Sequence, residues 1–149
     1  MMSQYQGLRA CGLLLSILLA VSASLAQQGA AKTDKDKLQG TWVAVSGESG
    51  GAKLPDEVVK AQSYEFRGDI MVVKLDGVEF GSLKFTLDES KKPKELNIMV
   101  GSLGTNPAIY EFDGDRLKIC MDKPGGIRPK GFKTEKGTAQ KLFVFERSK

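Results

Sequence analysis

Histidine is absent from this chain. That removes the usual general base, the usual middle member of a nucleophilic triad and the commonest metal ligand together. Cysteine is nearly absent: Cys11 and Cys120 are the whole supply, too few for a structural zinc by ligand count. No glycine pattern of the phosphate-cradling kind leads into a helix. Long apolar runs are missing as well; the stretch 13–21 (LLLSILLAV) falls short of the roughly 20 residues that a bilayer span requires. Excess charge is slight, with 22 basic against 18 acidic residues. A net charge of +4 confers solubility and not a grip on nucleic acid.

The short apolar run has its own meaning. Arg9 precedes it, and Ser24-Leu25-Ala26 supplies a small-x-small site before Gln27, so residues 1–26 read as a signal peptide and the protein as exported to a periplasmic or extracellular setting. Its length argues against a retained anchor, so no stable membrane insertion is expected after cleavage. Cys11 lies ahead of the run, the wrong side for lipid attachment. Cleavage leaves 123 of the 149 residues and removes one charge, Arg9, enough chain for one domain with a sizeable core. Cys120 is then alone, so no internal disulfide forms, and a lone strand cysteine reads first as a small buried hydrophobe.

Residues 27–35 form a small, polar, flexible leader. Thr33 stands three residues ahead of Asp36, the spacing of a capping box, and predicts a helical turn leading into Gly40. A second turn is expected over Pro55 to Lys60, with proline at its first position and acids at its positive end. Alternating apolar and polar residues predict strands over 42–45, 62–67, 70–75, 78–87, 95–100, 109–112, 116–121 and 141–147. Gly68-Asp69, Asp76-Gly77 and 113–115 supply hairpin turns.

Eight strands in sequence with tight turns predict an all-β fold, an eight-stranded antiparallel up-and-down barrel over residues 36–149. The first and last strands, around Val43 and Phe143, are apolar and carry no edge protection, and closure removes both edges. A β-sandwich is the competing architecture. Alternation points Tyr64 and Phe66, Ile70 and Val72, Leu83 and Phe85, Ile98, Tyr110 and Phe112, Leu117 and Ile119, and Phe143 and Phe145 inward. From these, Tyr64, Phe66, Phe85, Ile98, Tyr110 and Phe112 are the candidate pocket residues. Spacing does not tell a filled core from a pocket; the tyrosines favour a pocket, because a buried hydroxyl wants a partner.

Gly40-Thr41-Trp42 on the first strand, with the only tryptophan of the chain, resembles the opening of lipocalin-type barrels. In that family an arginine ending the last strand packs over the tryptophan, and Arg147 matches it here. Residues 36–42, 109–120 and the loop around Arg128-Pro129 are similar to an uncharacterised exported domain family found mainly in planctomycete bacteria. The resemblance implies a lipocalin-like barrel in an exported setting, with Trp42 and Arg147 structural. It brings no reaction, cofactor or catalytic residue.

The acids fall at turns (Asp69, Asp76, Asp113, Asp115) or on exposed strand positions (Glu65, Glu79), and read as turn formers and solvated faces. Arg67-Gly68-Asp69, an adhesion tripeptide by spelling, sits where a hairpin needs its turn. Residues 122–138 form a long basic loop with Phe132 inside it, read as a connector pinned to the barrel or as a lid for an anionic ligand. The expected function is a non-catalytic binding module for a small apolar or weakly anionic molecule, without cofactor, metal or nucleic acid. The alternatives are a filled barrel that meets another envelope protein, and an enzyme relying on carboxylates or Cys120.

Overall fold

The computed structural model describes residues 30–149, so the expected signal peptide lies outside the described residues, as does most of the flexible leader. Helix α1 (Asp34–Leu38) forms where the capping box predicts it: Thr33 Oγ1 accepts from the Asp36 amide at 3.2 Å, and the Asp36 carboxylate accepts from the Thr33 amide at 3.1 Å. Strand β1 (Gly40–Ser49) follows, then the two-residue β2 (Ala52–Lys53) and helix α2 (Asp56–Lys60). Pro55 is the residue before α2 and not its first position. The remaining strands are β3 (Gln62–Arg67), β4 (Ile70–Leu75), β5 (Val78–Asp88), β6 (Lys94–Met99), β7 (Thr105–Asp113), β8 (Arg116–Met121) and β9 (Lys141–Arg147).

Every pairing is antiparallel. Apart from the small β2 attached to the end of β1, the strands run β1-β3-β4-β5-β6-β7-β8-β9, and β9 pairs back onto β1. The closing ladder extends from Trp42 opposite Arg147 to Ser49 opposite Lys141. An eight-stranded antiparallel closed barrel of lipocalin-like topology results, and the sandwich alternative is excluded by that ladder.

Two ends follow from strand direction. At the base stand α1, the Gly68 turn, the β5–β6 loop, the 113–115 turn and Arg147. At the rim stand α2, the Asp76-Gly77 turn, a 3-10 turn over Gly101–Leu103, and the connection 122–140.

Three local departures from simple alternation have physical causes. In β4 the residues facing the core are Met71 and Val73, opposite Phe66 and Tyr64, and not the expected Ile70 and Val72. The run Ile-Met-Val-Val is apolar at every position, so its own pattern carries no phase and the neighbouring strand sets it. Bulges interrupt β1 at Val45 and β5 at Phe80. Each inserts a residue outside the ladder, which leaves Val45 and Phe80 exposed although apolar. Strand β7 starts at Thr105 and contains Pro107. The proline nitrogen has no hydrogen to donate, but it faces the side where β8 has already ended, and the Asp122 amide donates to the Pro107 carbonyl at 3.1 Å.

The long connection is fastened to the outside of the barrel. Arg128 donates from Nη1 to the carbonyls of Leu96 and Ala108, and from Nη2 to Asn97 Oδ1 at 2.6 Å. Phe132 packs on Ile109, Cys120 and Leu142, a small second core outside the main one. Buried Thr134 accepts from the Gly51 amide at 2.8 Å.

Candidate functional site

The base is sealed by residues from both extremes of the folded unit. The Arg147 guanidinium lies 4.3 Å from the Trp42 ring centroid and donates to the carbonyls of Gln39 and Lys37 at 2.7 and 2.6 Å. Those carbonyls belong to the C-terminal end of α1, where orphan acceptors favour a cation. The Trp42 indole N–H donates to the Leu38 carbonyl at 2.7 Å, and Leu38 is itself buried.

Asp34 completes the seal from the first turn of α1. Its carboxylate accepts from Tyr110 Oη at 3.0 Å, from Lys37 at 3.0 Å and from Lys94. Its own amide donates to Glu89 at 3.0 Å. Burial pushes the Asp34 carboxyl up, but hydrogen bonds from Lys94, Lys37 and Tyr110 outweigh it and hold the group below its ordinary value. Burial, and then the Asp34 carboxylate beside it, push the Tyr110 phenol well up, so it stays a donor.

Of the six candidate pocket residues, Tyr64, Phe66, Phe85, Ile98 and Tyr110 are buried in one apolar cluster with Phe143 and Phe145, and Phe112 packs against it. Tyr64 and Phe145 have ring centroids 4.7 Å apart, and Phe66 meets Phe85 edge-on at 5.2 Å. Tyr110 and Phe112 belong to the base, with Phe112 also 6.1 Å from Trp42. The structure therefore splits the six: four share the interior proper, and two stand at the sealed end. Tyr64 differs from the rest in polarity. Burial alone pushes its phenol up to about 12.

Among the described residues, three of the cavities open on the outside. One of about 890 Å³ lies under the base, against Lys37, Trp42, Phe112, Arg116 and Arg147. A second, about 420 Å³, lies between α1 and the β5–β6 loop, against Asp34, Lys91, Lys92, Lys94, Tyr110 and Phe112. A third, about 360 Å³, is held by the long connection, around Asp122, Arg128, Lys130 and Lys133. None of the three is lined by Tyr64, Phe66, Phe85 or Ile98.

No family model, curated protein or solved structure matches this chain. The chemistry is thus read from the residues themselves. Cys120 is fully buried, and burial raises its thiol to about 11, which leaves little thiolate at neutral pH. Glu65 is held down to about 2 by hydrogen bonds from Arg67 and Lys74 on the outer face of the barrel. Among the described residues no group of three or more acidic or cysteine side chains converges to hold a metal. No described helix is long and apolar enough to cross a membrane.

The residues that sequence reasoning missed are Asp34, Asn106 and Arg128. Asp34 carried a weak signal, as an acid in the first turn of a capped helix, but its burial depends on β6 and β7. Asn106 faces inward because β7 begins at Thr105, before the expected Ile109. Arg128 lies in a loop without periodicity, and nothing in its neighbours announces the carbonyls it reaches.

Proposed function

We propose that this protein is an exported, non-catalytic binding module that takes up a small, largely apolar molecule through the rim of its barrel. The fold is consistent with a small-molecule binding module. The observation that carries the reading further is the asymmetry of the two ends. The base is tied shut by Arg147, Trp42, Asp34 and α1. The rim instead displays large apolar side chains to solvent: Val78 is 70% exposed, Phe80 77% and Leu103 70%. Val78 and Phe80 share the rim end of β5, and large apolar side chains exposed there offer a contact surface. The signal-peptide pattern and the resemblance to an exported, lipocalin-like family support the setting.

Native mass spectrometry of the protein isolated from its own cells tests the proposal. A retained small molecule, displaced by an apolar fluorescent probe, is the expected result. Protein that arrives bare and leaves the probe in water would sink it.

A second reading has its own support. Strand β5 pairs with β6 only from Lys84 onward, so residues 78–83 have a ladder partner on the β4 side alone. That edge, with Phe80 bulging from it, suits contact with an envelope protein, although a bulge also blunts strand addition. A photo-crosslinking side chain at Phe80 separates the readings: a discrete covalent partner favours docking, and its absence favours uptake.

A further inference from the structure

Two side chains that face the barrel interior each carry an oxygen with no hydrogen-bond partner among the described residues. Tyr64 is 5% exposed and packs inside the apolar cluster. Burial is the one influence on its hydroxyl, and no described residue accepts its proton. Asn106 alternates along β7 with Ala108 and Tyr110 and stands opposite Ile98, all members of the interior cluster. Its Oδ1 is buried without a hydrogen-bond partner. Buried polar atoms are almost always paired, and each exception calls for a reason.

Their positions are related. In the ring order, β3 and β7 are four strands apart in either direction, so the two side chains come from opposite walls. Both lie toward the rim: Tyr64 is the third residue of β3 and Asn106 the second of β7, and both strands run from rim to base. Small side chains, Ala44 on β1 and Ala108 on β7, share that interior.

We infer that Tyr64 and Asn106 are the polar pole of the ligand site and select a neutral head group carrying an acceptor beside a donor, as in a primary amide or a protonated carboxylic acid. This rests on the proposed uptake of a small molecule at the rim. The head-group carbonyl accepts from Tyr64 Oη, and its N–H or O–H donates to Asn106 Oδ1. Neutrality follows from the surroundings. The one buried charged residue among those described is Asp34, and its partners at the base already occupy it. An ionised head group would therefore enter an apolar interior without a counter-charge, which is strongly unfavourable.

Calorimetric titration of the full chain with octanamide tests the inference, with N,N-dimethyloctanamide as the probe lacking donors and hexylbenzene as the probe lacking both functions. Octanamide is expected to bind about tenfold more tightly than its dimethyl analogue. Tyr64→Phe and Asn106→Leu should each remove about that factor while leaving hexylbenzene affinity within about twofold, a change too small to mark a lost hydrogen bond. Asn106→Leu should not melt below the wild type, because it removes the buried unpartnered oxygen, and Tyr64→Phe keeps the ring that packs on Phe145. Octanoic acid should bind progressively more weakly as pH rises through its carboxyl range.

If hexylbenzene binds and octanamide shows no preference, the head-group inference fails and uptake stands. If neither binds, uptake itself fails. A bridging water between Tyr64 and Asn106, with octanamide bound elsewhere, also overturns the inference. Should Asn106→Leu not fold, the carbonyl stretch of isotope-labelled octanamide decides: a downshift in the wild-type protein supports the assignment, and an unshifted band refutes it.

Discussion

A carboxylate on the first turn of a five-residue helix would ordinarily be solvated, yet Asp34 is 1% exposed. It stays ionised there because its hydrogen bonds arrive from three places: Lys37 in its own helix, Lys94 in β6 and Tyr110 in β7. One residue thereby joins the capping helix to two strands. Its carboxyl titrates lower in the folded chain than in the unfolded one. The stabilisation is therefore fully present above the unfolded carboxyl value of about 4 and is lost as pH falls through the folded value. Asp34→Asn should cost about 1–3 kcal/mol at pH 7, and the difference from wild type should shrink on acidification. Urea unfolding at pH 7 and pH 3 measures both; a gap that widens in acid contradicts the assignment. Arg147→Ala removes the indole contact and both bonds to α1. A loss of about 1–2 kcal/mol with increased amide exchange in residues 34–38 is expected.

At the scale of elements, Gly47 shows how closely β1 approaches its neighbours. A methyl group there would lie 2.9 Å from the Phe143 ring and 3.1 Å from Leu54. Gly47→Ala should destabilise by about 1–3 kcal/mol through overpacking, seen as a lower thermal midpoint with an unchanged circular dichroism spectrum. Arg128 and Phe132 hold the long connection against the barrel wall. Arg128→Ala should raise hydrogen exchange at the Gly125 amide, which bonds to Thr105, while the β8–β9 ladder keeps its protection. A uniform loss of protection across the barrel would show that the connection is integral to the fold.

These elements also show what the sequence makes legible. The hairpins at Asp76-Gly77 and 113–115 were readable because turn chemistry and alternation agree on both sides. Trp42 and Arg147 were readable as a pair through the resemblance to lipocalin-type barrels, and their contact is present. The phase of β4 was not, since four consecutive apolar residues offer no contrast. Nor were the bulges at Val45 and Phe80, which answer to barrel curvature and not to local preference. The division of the pocket candidates between interior and base depended on the partner of Tyr110, and Asp34 lies 76 positions away in sequence.

For the whole molecule the decisive contact is the ladder between β1 and β9. Ending the chain at residue 140 would strip β1 and β8 of a shared neighbour and remove Leu142, Phe143 and Phe145, uncovering the Tyr64 ring and Phe132 that pack on them. Such a truncation should be insoluble or lack cooperative unfolding, whereas the full chain should melt in a single transition. A soluble, cooperatively folding truncation would contradict closure as the source of stability.

That same ladder sets an order of events for a chain made from its N-terminus onward. Trp42 stands on the first strand and Arg147 on β9, so the free side of β1 waits for its match until the strands between have been made. Until then the nascent polypeptide is a sticky, half-dressed ribbon, the state that holding chaperones exist to shield. Closure of the barrel thus rests on the seven residues of β9, and a chain without them presents an unpaired, apolar edge to others of its kind.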